Sequence, residues 1–478
     1  MRHPERRPEK LFRRCQIAVT VIPVTLLLLV LAAPPVAAQR PGTADTLTAD
    51  SSARDSIAAR LARAEAAIQL LRRQLAVEAS SVVRTRSRIQ LELSARIMTN
   101  LFLTNRRVNN VDVPQFALPD PAVPPALPNP PAPGSLPGTR AAGLTLRQSR
   151  VGAALSVDSV LGGTFDGDFE LDFFGGVSSS PGERRLFPEP RLRTARARLW
   201  WNRTSILVGS DTPLISDLNP VSVATVGVPG FVTAGNLWNW LPQVRVSHDV
   251  LVRENGLRIG AQVALLTPVS GVQHPGETDG VDAGERSGRP YVESRLHVRW
   301  GEGATHTGAP SDVMLGDGGG EIGVGVHRGW LRSSGDSLTS SEALSVDARV
   351  MLMRQVEVRG EAYRGQLLRG LGGGAIGQSF GRAPPGQAIG APIRTTAGWL
   401  QANLQAHPTL IAGAGCGREV VNTSDLPLRE SNLACAAHLL WRPAQPMLIG
   451  FEFRRIETRY SAVTNRASHV NLAFGFEL

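Results

Sequence analysis

Lysine is almost missing from this chain of 478 residues. Lys10 is the only one, so all the rest of the 51 lysines and arginines are arginine. The positive charge therefore sits on planar, always-charged groups with several donors, suited to carboxylate and phosphate. Tyrosine and cysteine are also scarce, at three each. The cysteines and histidines show no metal-type spacing, and no metal or other cofactor is expected. There is no Gly-x-Ser-x-Gly, no phosphate-cradling glycine loop and no His-Glu-x-x-His, so no catalytic set is offered. His248, His297 and His438 are scattered. No basic run interleaved with aromatics follows the N-terminal segment, which argues against nucleic acid as a partner. Beyond residues 17–33 no apolar run is long enough for a spanning helix.

What is present starts with a secretory pattern. Arg2, Arg6, Arg7, Lys10, Arg13 and Arg14 precede the apolar run 17–33, which Pro23 interrupts. Val36, Ala37 and Ala38 place small residues before Gln39, so residues 1–38 read as a signal peptide cleaved after Ala38. An uncleaved anchor helix is the alternative. Cys15 precedes the apolar run, so it is not a lipoprotein acceptor. The formal charge of +10 falls to a mild excess once this segment is removed.

Residues 39–55 read as a flexible linker. In residues 56–78, Ile57, Leu61, Ala64, Ile68, Leu71 and Leu75 are spaced alternately by four and three. That spacing builds one narrow apolar seam along a helix. About three heptads are marginal alone. Self-association into a short coiled coil, preferably a trimer, would stabilise them. The alternative is a single amphipathic helix docked on a barrel rim.

From residue 84 onward, period-two alternation replaces helical periodicity. The last strand shows it best. Val470, Leu472, Phe474, Phe476 and Leu478 share one face, and Asn471, Ala473, Gly475 and Glu477 the other. Sixteen such segments run from 88–103 to 467–478, and their connections alternate between long and short. The long ones are 104–142 (proline-rich), 175–191, 210–240, 269–289, 331–342, 368–394 and 422–431. Even strand number, short periplasmic turns and long extracellular loops are the pattern of an outer-membrane barrel. Residues 84–478 are therefore expected to be all-β, a 16-stranded antiparallel transmembrane β-barrel following the short periplasmic coiled-coil helix. Its last strand closes on its first and ends on the periplasmic side, where barrel-assembly machinery would meet it. The connection 301–320 breaks the rhythm, either as an elaborated turn or because strands there pair otherwise. Trp201, Trp300 and Trp441 fall at periplasmic strand ends and Trp330 at an extracellular one, as in interfacial girdles.

The polar faces carry the charge. Asp166, Asp168, Glu170 and Asp172 share one strand face, which cannot sit unpaired in a dry core. Arg150 precedes them, and Arg196 and Arg198 follow on the next strand. Arg245, Arg349, Arg359 and Glu361 extend the set. Opposed acidic and basic ladders along a water-filled lumen would select small charged solutes. A salt-bridge lattice that only solvates the wall is the other reading. Residues 210–240 can fold inward and narrow the pore, or lie outside as a surface loop. Cys416 and Cys435 sit symmetrically about 422–431, either as a cross-strand disulfide or as two free thiols.

The segments Arg147-Gln148-Ser149-Arg150-Val151-Gly152 and Arg191-Leu192-Arg193, and the acidic strand between them, resemble DcaP-like outer-membrane porins. So do Gly398-Trp399-Leu400-Gln401, Leu440-Trp441-Arg442-Pro443, Phe451-Glu452-Phe453 and Thr458-Arg459-Tyr460. The resemblance implies a homotrimer whose periplasmic coiled coil joins three barrels, passing dicarboxylates and other small anions. The proline-rich first loop, the few tyrosines and the terminal Leu478 depart from the family pattern. The expected partners are outer-membrane lipid, copies of the chain, small charged solutes and assembly machinery. A non-enzymatic porin is the leading expectation. A plugged structural or adhesive barrel is the alternative, followed by an outer-membrane lipid hydrolase.

Overall fold

The computed structural model describes residues 82–84, 89–120, 140–175, 188–225, 227–272, 279–301, 319–334 and 337–478. The expected signal peptide (1–38), linker (39–55) and heptad helix (56–78) lie outside the described residues, and with them Ile57, Leu61, Ala64, Ile68, Leu71 and Leu75. Residues 84–478 expected in the barrel are described except for the gaps between those ranges.

The described chain is a closed antiparallel barrel of 16 staves. These are β1 (Ile89–Thr104), β2 (Ala141–Thr145 continued by Arg150–Val160), β3 (Gly163–Gly175) and β4 (Glu189–Trp201). Then come β5 (Thr204–Asp211), β6 (Leu241–Val252), β7 (Arg258–Leu266) and β8 (Tyr291–Trp300). The second half is β9 (Gly320–Ser334), β10 (Ser337–Met353), β11 (Val356–Gln366), β12 (Arg394–His407), β13 (Leu410–Val421), β14 (Arg429–Trp441), β15 (Met447–Tyr460) and β16 (Thr464–Glu477). Each stave pairs with its sequence neighbours, and β16 closes on β1 from His469 opposite Thr104 to Glu477 opposite Arg96. Closure leaves no open sheet edge. Leu478 adds backbone bonds to Ala95 of 2.8 and 3.1 Å. Beyond that point Val82–Arg84 pairs with Gln90, Leu91 and Glu92 and covers the remaining edge of β1.

Alternation builds the two faces. On β16, Asn471, Ala473 and Gly475 are buried, while Phe474 and Phe476 are exposed on the outside. The same outward parity exposes Leu93, Ile97, Val208, Val246, Val263, Leu296, Val326, Leu344, Leu404, Leu439 and Phe453. A continuous apolar outer band with polar inner residues is the pattern of a lipid-facing barrel wall.

Four local expectations change. The connection 301–320 hides no mispairing, since Trp300 lies opposite Gly320 and β8 pairs with β9 throughout. The stretch 331–342 is not a long loop: Leu331 lies opposite Thr339, so both strands run on almost to the hairpin tip. Serine and glycine read there as loop, yet the backbone pairing continues. Trp330 consequently sits within β9, opposite Ser340, and not at its end. The second stave is broken at 146–149, where Arg147, Gln148 and Ser149 are all buried. Arg147 forms a buried ion pair with Asp112, and the Ser149 hydroxyl accepts from Met98 N at 3.0 Å.

Candidate channel constriction

Residues 212–240 join β5 to β6. Asp217 is their only ionisable side chain, and the rest are small, apolar or neutral polar. Such a segment can be buried if its backbone groups find partners. The partners come from the inner face of staves all round the ring. Gln401 of β12 accepts from Val221 N at 2.7 Å and donates to Val221 O at 2.8 Å. Glu293 of β8 accepts from Ile215 N at 3.2 Å, and Asn100 of β1 donates to Val223 O at 3.0 Å. Asn432 of β14 donates to Thr233 O at 3.0 Å, and Ser345 of β10 donates to Ile215 O. Only a segment inside the barrel can reach all of these. The outside-loop alternative for 210–240 is thereby removed.

Apolar contacts complete the seating. Leu214, Ile215 and Leu237 pack with Leu241, Leu266, Tyr291 and Tyr363. Val221 and Val223 pack with Met98, Leu440, Leu448 and Ala473. Gly235 has φ +107°, and a Cβ there would lie 2.5 Å from the Gly398 carbonyl carbon. Two glycines thus allow the loop backbone to touch the wall.

The loop divides the charged residues expected along the lumen. Arg245, Arg349, Arg359 and Glu361 are buried. Arg245 donates to Thr212 O at 2.5 Å and approaches Asp211 at 3.4 Å. Arg359 donates to Asn219 O at 3.0 Å and pairs with Glu357 at 2.5 Å. Arg349 lies 3.8 Å from Glu357. Glu361 accepts from the Ser216 hydroxyl at 2.8 Å and from Trp399 Nε1 at 3.2 Å. Arg245, Arg359 and Glu361 do not line open water, because the loop occupies the space in front of them. They join other covered pairs, Arg295 with Asp347 and Glu321, and Arg454 with Glu452. Buried charge persists only when paired in this way.

The arc from β2 to β4 is different. Its inner face stays half-buried: Asp166, Asp168, Glu170, Arg193, Arg196 and Arg198 all retain access. Asp168 lies opposite Arg196 and Asp166 opposite Arg198. Arg196 Nε donates to both Asp168 oxygens at 3.0 Å, and its Nη1 reaches Asp211 at 3.4 Å. Arg198 lies 4.9 Å from the Trp200 ring centre, and Trp200 donates to Asp166. Arg150, largely buried, stands 3.8 Å from Glu170. Asp172 is fully buried and takes Arg191 at 2.6 Å and Arg193 at 3.2 Å.

Alternation alone does not place Arg191 and Arg193 in the lumen. Strict alternation with Arg196 and Arg198 turns Arg193 outward. The register slips there, with Glu170 opposite Thr194 but Leu171 opposite Leu192. Arg193 is the extra residue of this bulge, and the bulge re-aims it onto Glu170 at 2.5 Å. Arg191 and Arg193 also stack on Trp240 at 5.2 and 4.3 Å, where the inward loop ends. On the side of the short turns, a cavity of about 700 Å³ opens between Thr164, Trp200, Arg203, His248, Gln262 and Arg299.

The two cysteines face each other across β13 and β14, with Sγ atoms 2.14 Å apart. They sit on the outer face of the wall, with Leu433, Ala437 and Leu439.

No known protein-family profile matches the chain, and no curated protein does. Solved structures do. The outer membrane channel DcaP of Acinetobacter baumannii superposes with a TM-score of 0.60 at 13% identity, over 83% of this chain and 99% of that one. The anion-selective porin from Comamonas acidovorans gives 0.50 at 12% identity, over 82% and 100%. The chain has the fold of the outer-membrane porins, the one that the resemblance to DcaP-like porins implies.

Proposed function

We propose that the protein is an outer-membrane porin through which small hydrophilic solutes diffuse, with preference for anions such as dicarboxylates. The observation that carries this reading is the uncovered β2–β4 arc. Arg191, Arg193, Arg196 and Arg198 form a column of guanidinium groups along one stave, beside the inward loop 212–240. Guanidinium binds carboxylate in a bidentate manner, so an entering anion can exchange with Asp168 or Glu170 from one arginine to the next. Arg150 extends the column toward β2. Arg245, Arg359 and Glu361 hold the loop and act on the pore only through it. The Comamonas porin is described as anion-selective, which supports the same direction. Under this reading the chain is exported by its N-terminal signal, assembled by the outer-membrane machinery and trimerised through the heptad helix.

The test is the reversal potential of the purified protein in a planar bilayer under a salt gradient. A potential of the anion-selective sign is expected. A cation-selective or non-conducting protein overturns the proposal. Non-conduction would support the second reading, a plugged structural barrel. That reading draws on the depth of the seal, because residues 105–120 also reach inward: Ala117 accepts from Tyr460 OH and donates to Thr458.

A further inference from the structure

We propose that the outer wall over β11–β15 is a docking site for a phosphorylated glycolipid of the outer leaflet. The inference rests on the outer-membrane reading above for which end of the barrel faces outward, and it is independent of what passes through the pore. Arginines on the outside of the wall gather toward the long-loop ends of β9–β16. Most of them are neutralised locally: Arg328 by Glu342, Arg394 by Asp425, Arg459 by Glu430 and Arg466 by Glu457. Arg364, Arg418 and Arg455 are exposed and have no partner among the described residues. They lie on alternate staves, β11, β13 and β15, with one stave between each pair. Arg418 is opposite Gly398 and Leu433, Arg455 is opposite Cys435, and Arg364 is opposite Thr396.

Directly below these arginines the wall is notched. Ala402, Ala414 and Ala437 face one another across three staves, with Phe453 at one end of the row. The next row down holds Leu404, Ala412, Leu439 and Phe451. Together they line an open apolar hollow of about 510 Å³. The Cys416–Cys435 bond lies in the row of Arg455, below Arg418 and above the alanines. From Arg418 to Ala414 and Ala412 is four to six residues, about 13–20 Å along a strand. A lipid tail reaches about 15 Å, half of the hydrocarbon core. A phosphate held by Arg418 and Arg455 therefore places an acyl chain over the disulfide and into the notch. Phosphate with acyl tails answers both features. A free anion would leave the apolar hollow empty, and a neutral lipid would leave the arginines unpaired.

The full chain, folded in a non-ionic detergent, is titrated with bis-phosphorylated lipid A, with the same glycolipid after removal of its phosphates, and with phosphatidylglycerol. Saturable binding of the phosphorylated form is expected, weakened about tenfold by Arg418→Ala with Arg455→Ala. Ala414→Phe, which fills the notch, weakens it comparably. Arg418→Lys with Arg455→Lys keeps most of it and serves where the alanine pair fails to fold. Equal binding by the dephosphorylated lipid, equal binding by phosphatidylglycerol, or no loss in the alanine pair overturns the proposal. Heat-dependent gel mobility verifies the folded barrel in each variant. Conductance is measured alongside: its absence with lipid binding intact counts against the porin reading and leaves this one standing.

Discussion

At the scale of single residues, the charges on the β2–β4 arc have opposite expected effects on permeation. Arg196 holds Asp168 with both nitrogens on one side and reaches Asp211 on the other. Removing a unit charge about 8 Å from a passing ion in water changes its energy by about 0.5 kcal/mol, roughly a factor of two. Arg193→Ala with Arg196→Ala should lower the anion-to-cation permeability ratio by roughly two- to fivefold in the same bilayer measurement. Asp168→Asn should raise it. If both changes move the ratio the same way, the ladder is a structural lattice and not the selective element. The disulfide gives a residue-level contrast. It spans 19 residues of sequence on the outer face. Reduction should therefore cost about 3 kcal/mol of stability by loop-closure entropy, read by denaturant unfolding, with conductance unchanged.

At the scale of elements, the inward loop decides how much of the lumen is open. Gly235 passes against Gly398 with no room for a side chain. Gly235→Val should displace the loop and raise single-channel conductance while the barrel keeps its heat-resistant gel form. A variant with unchanged conductance would mean that the loop does not set the limiting aperture. The hairpin after β13 depends on pH. Burial pushes the Asp425 carboxyl up, but hydrogen bonds from the Arg394 side chain and backbone outweigh it and hold the group below its usual range. A carboxylate with a lowered folded pKa contributes stability above its ordinary pKa and loses it as pH falls through the folded one. Proteolysis within 422–428 should accordingly be slow at neutral pH and quicken in acid, and Asp425→Asn should remove that dependence.

At the scale of the whole molecule, closure depends on one seam. Glu477 takes Arg96 at 2.8 Å on the first stave and Arg442 at 2.7 Å at the turn before β15. Glu477→Gln should lower the temperature at which the barrel loses its compact gel form. No change would place closure in the backbone ladder and the outward Phe474 and Phe476 alone.

How much of this could be read in advance follows from the range of the signal. Period-two alternation is local, so Phe474, Phe476, Asn471 and Ala473 fix the faces of β16 from its own residues. The same reasoning brings out all sixteen staves and most of their ends. It fails where pairing between chains of residues overrides composition, as at 331–342. It fails also where a bulge breaks parity, since nothing in Arg191-Leu192-Arg193 itself marks Arg193 as the extra residue.

The sequence by itself determined the barrel, its strand number, its apolar exterior and the stave that carries the acidic row. It did so because a lipid-facing wall demands the same alternation at every strand. Only the tertiary structure decided which inner charges meet water. Residues 212–240 carry no periodic pattern, and their place is set by donors and acceptors on β1, β6, β8, β10–β12 and β14. Arg245, Arg359 and Glu361 have the alternation of pore residues but lie under that loop. Arg196 and Arg198 keep access to the lumen, while Trp240 at the end of the loop stacks on Arg191 and Arg193.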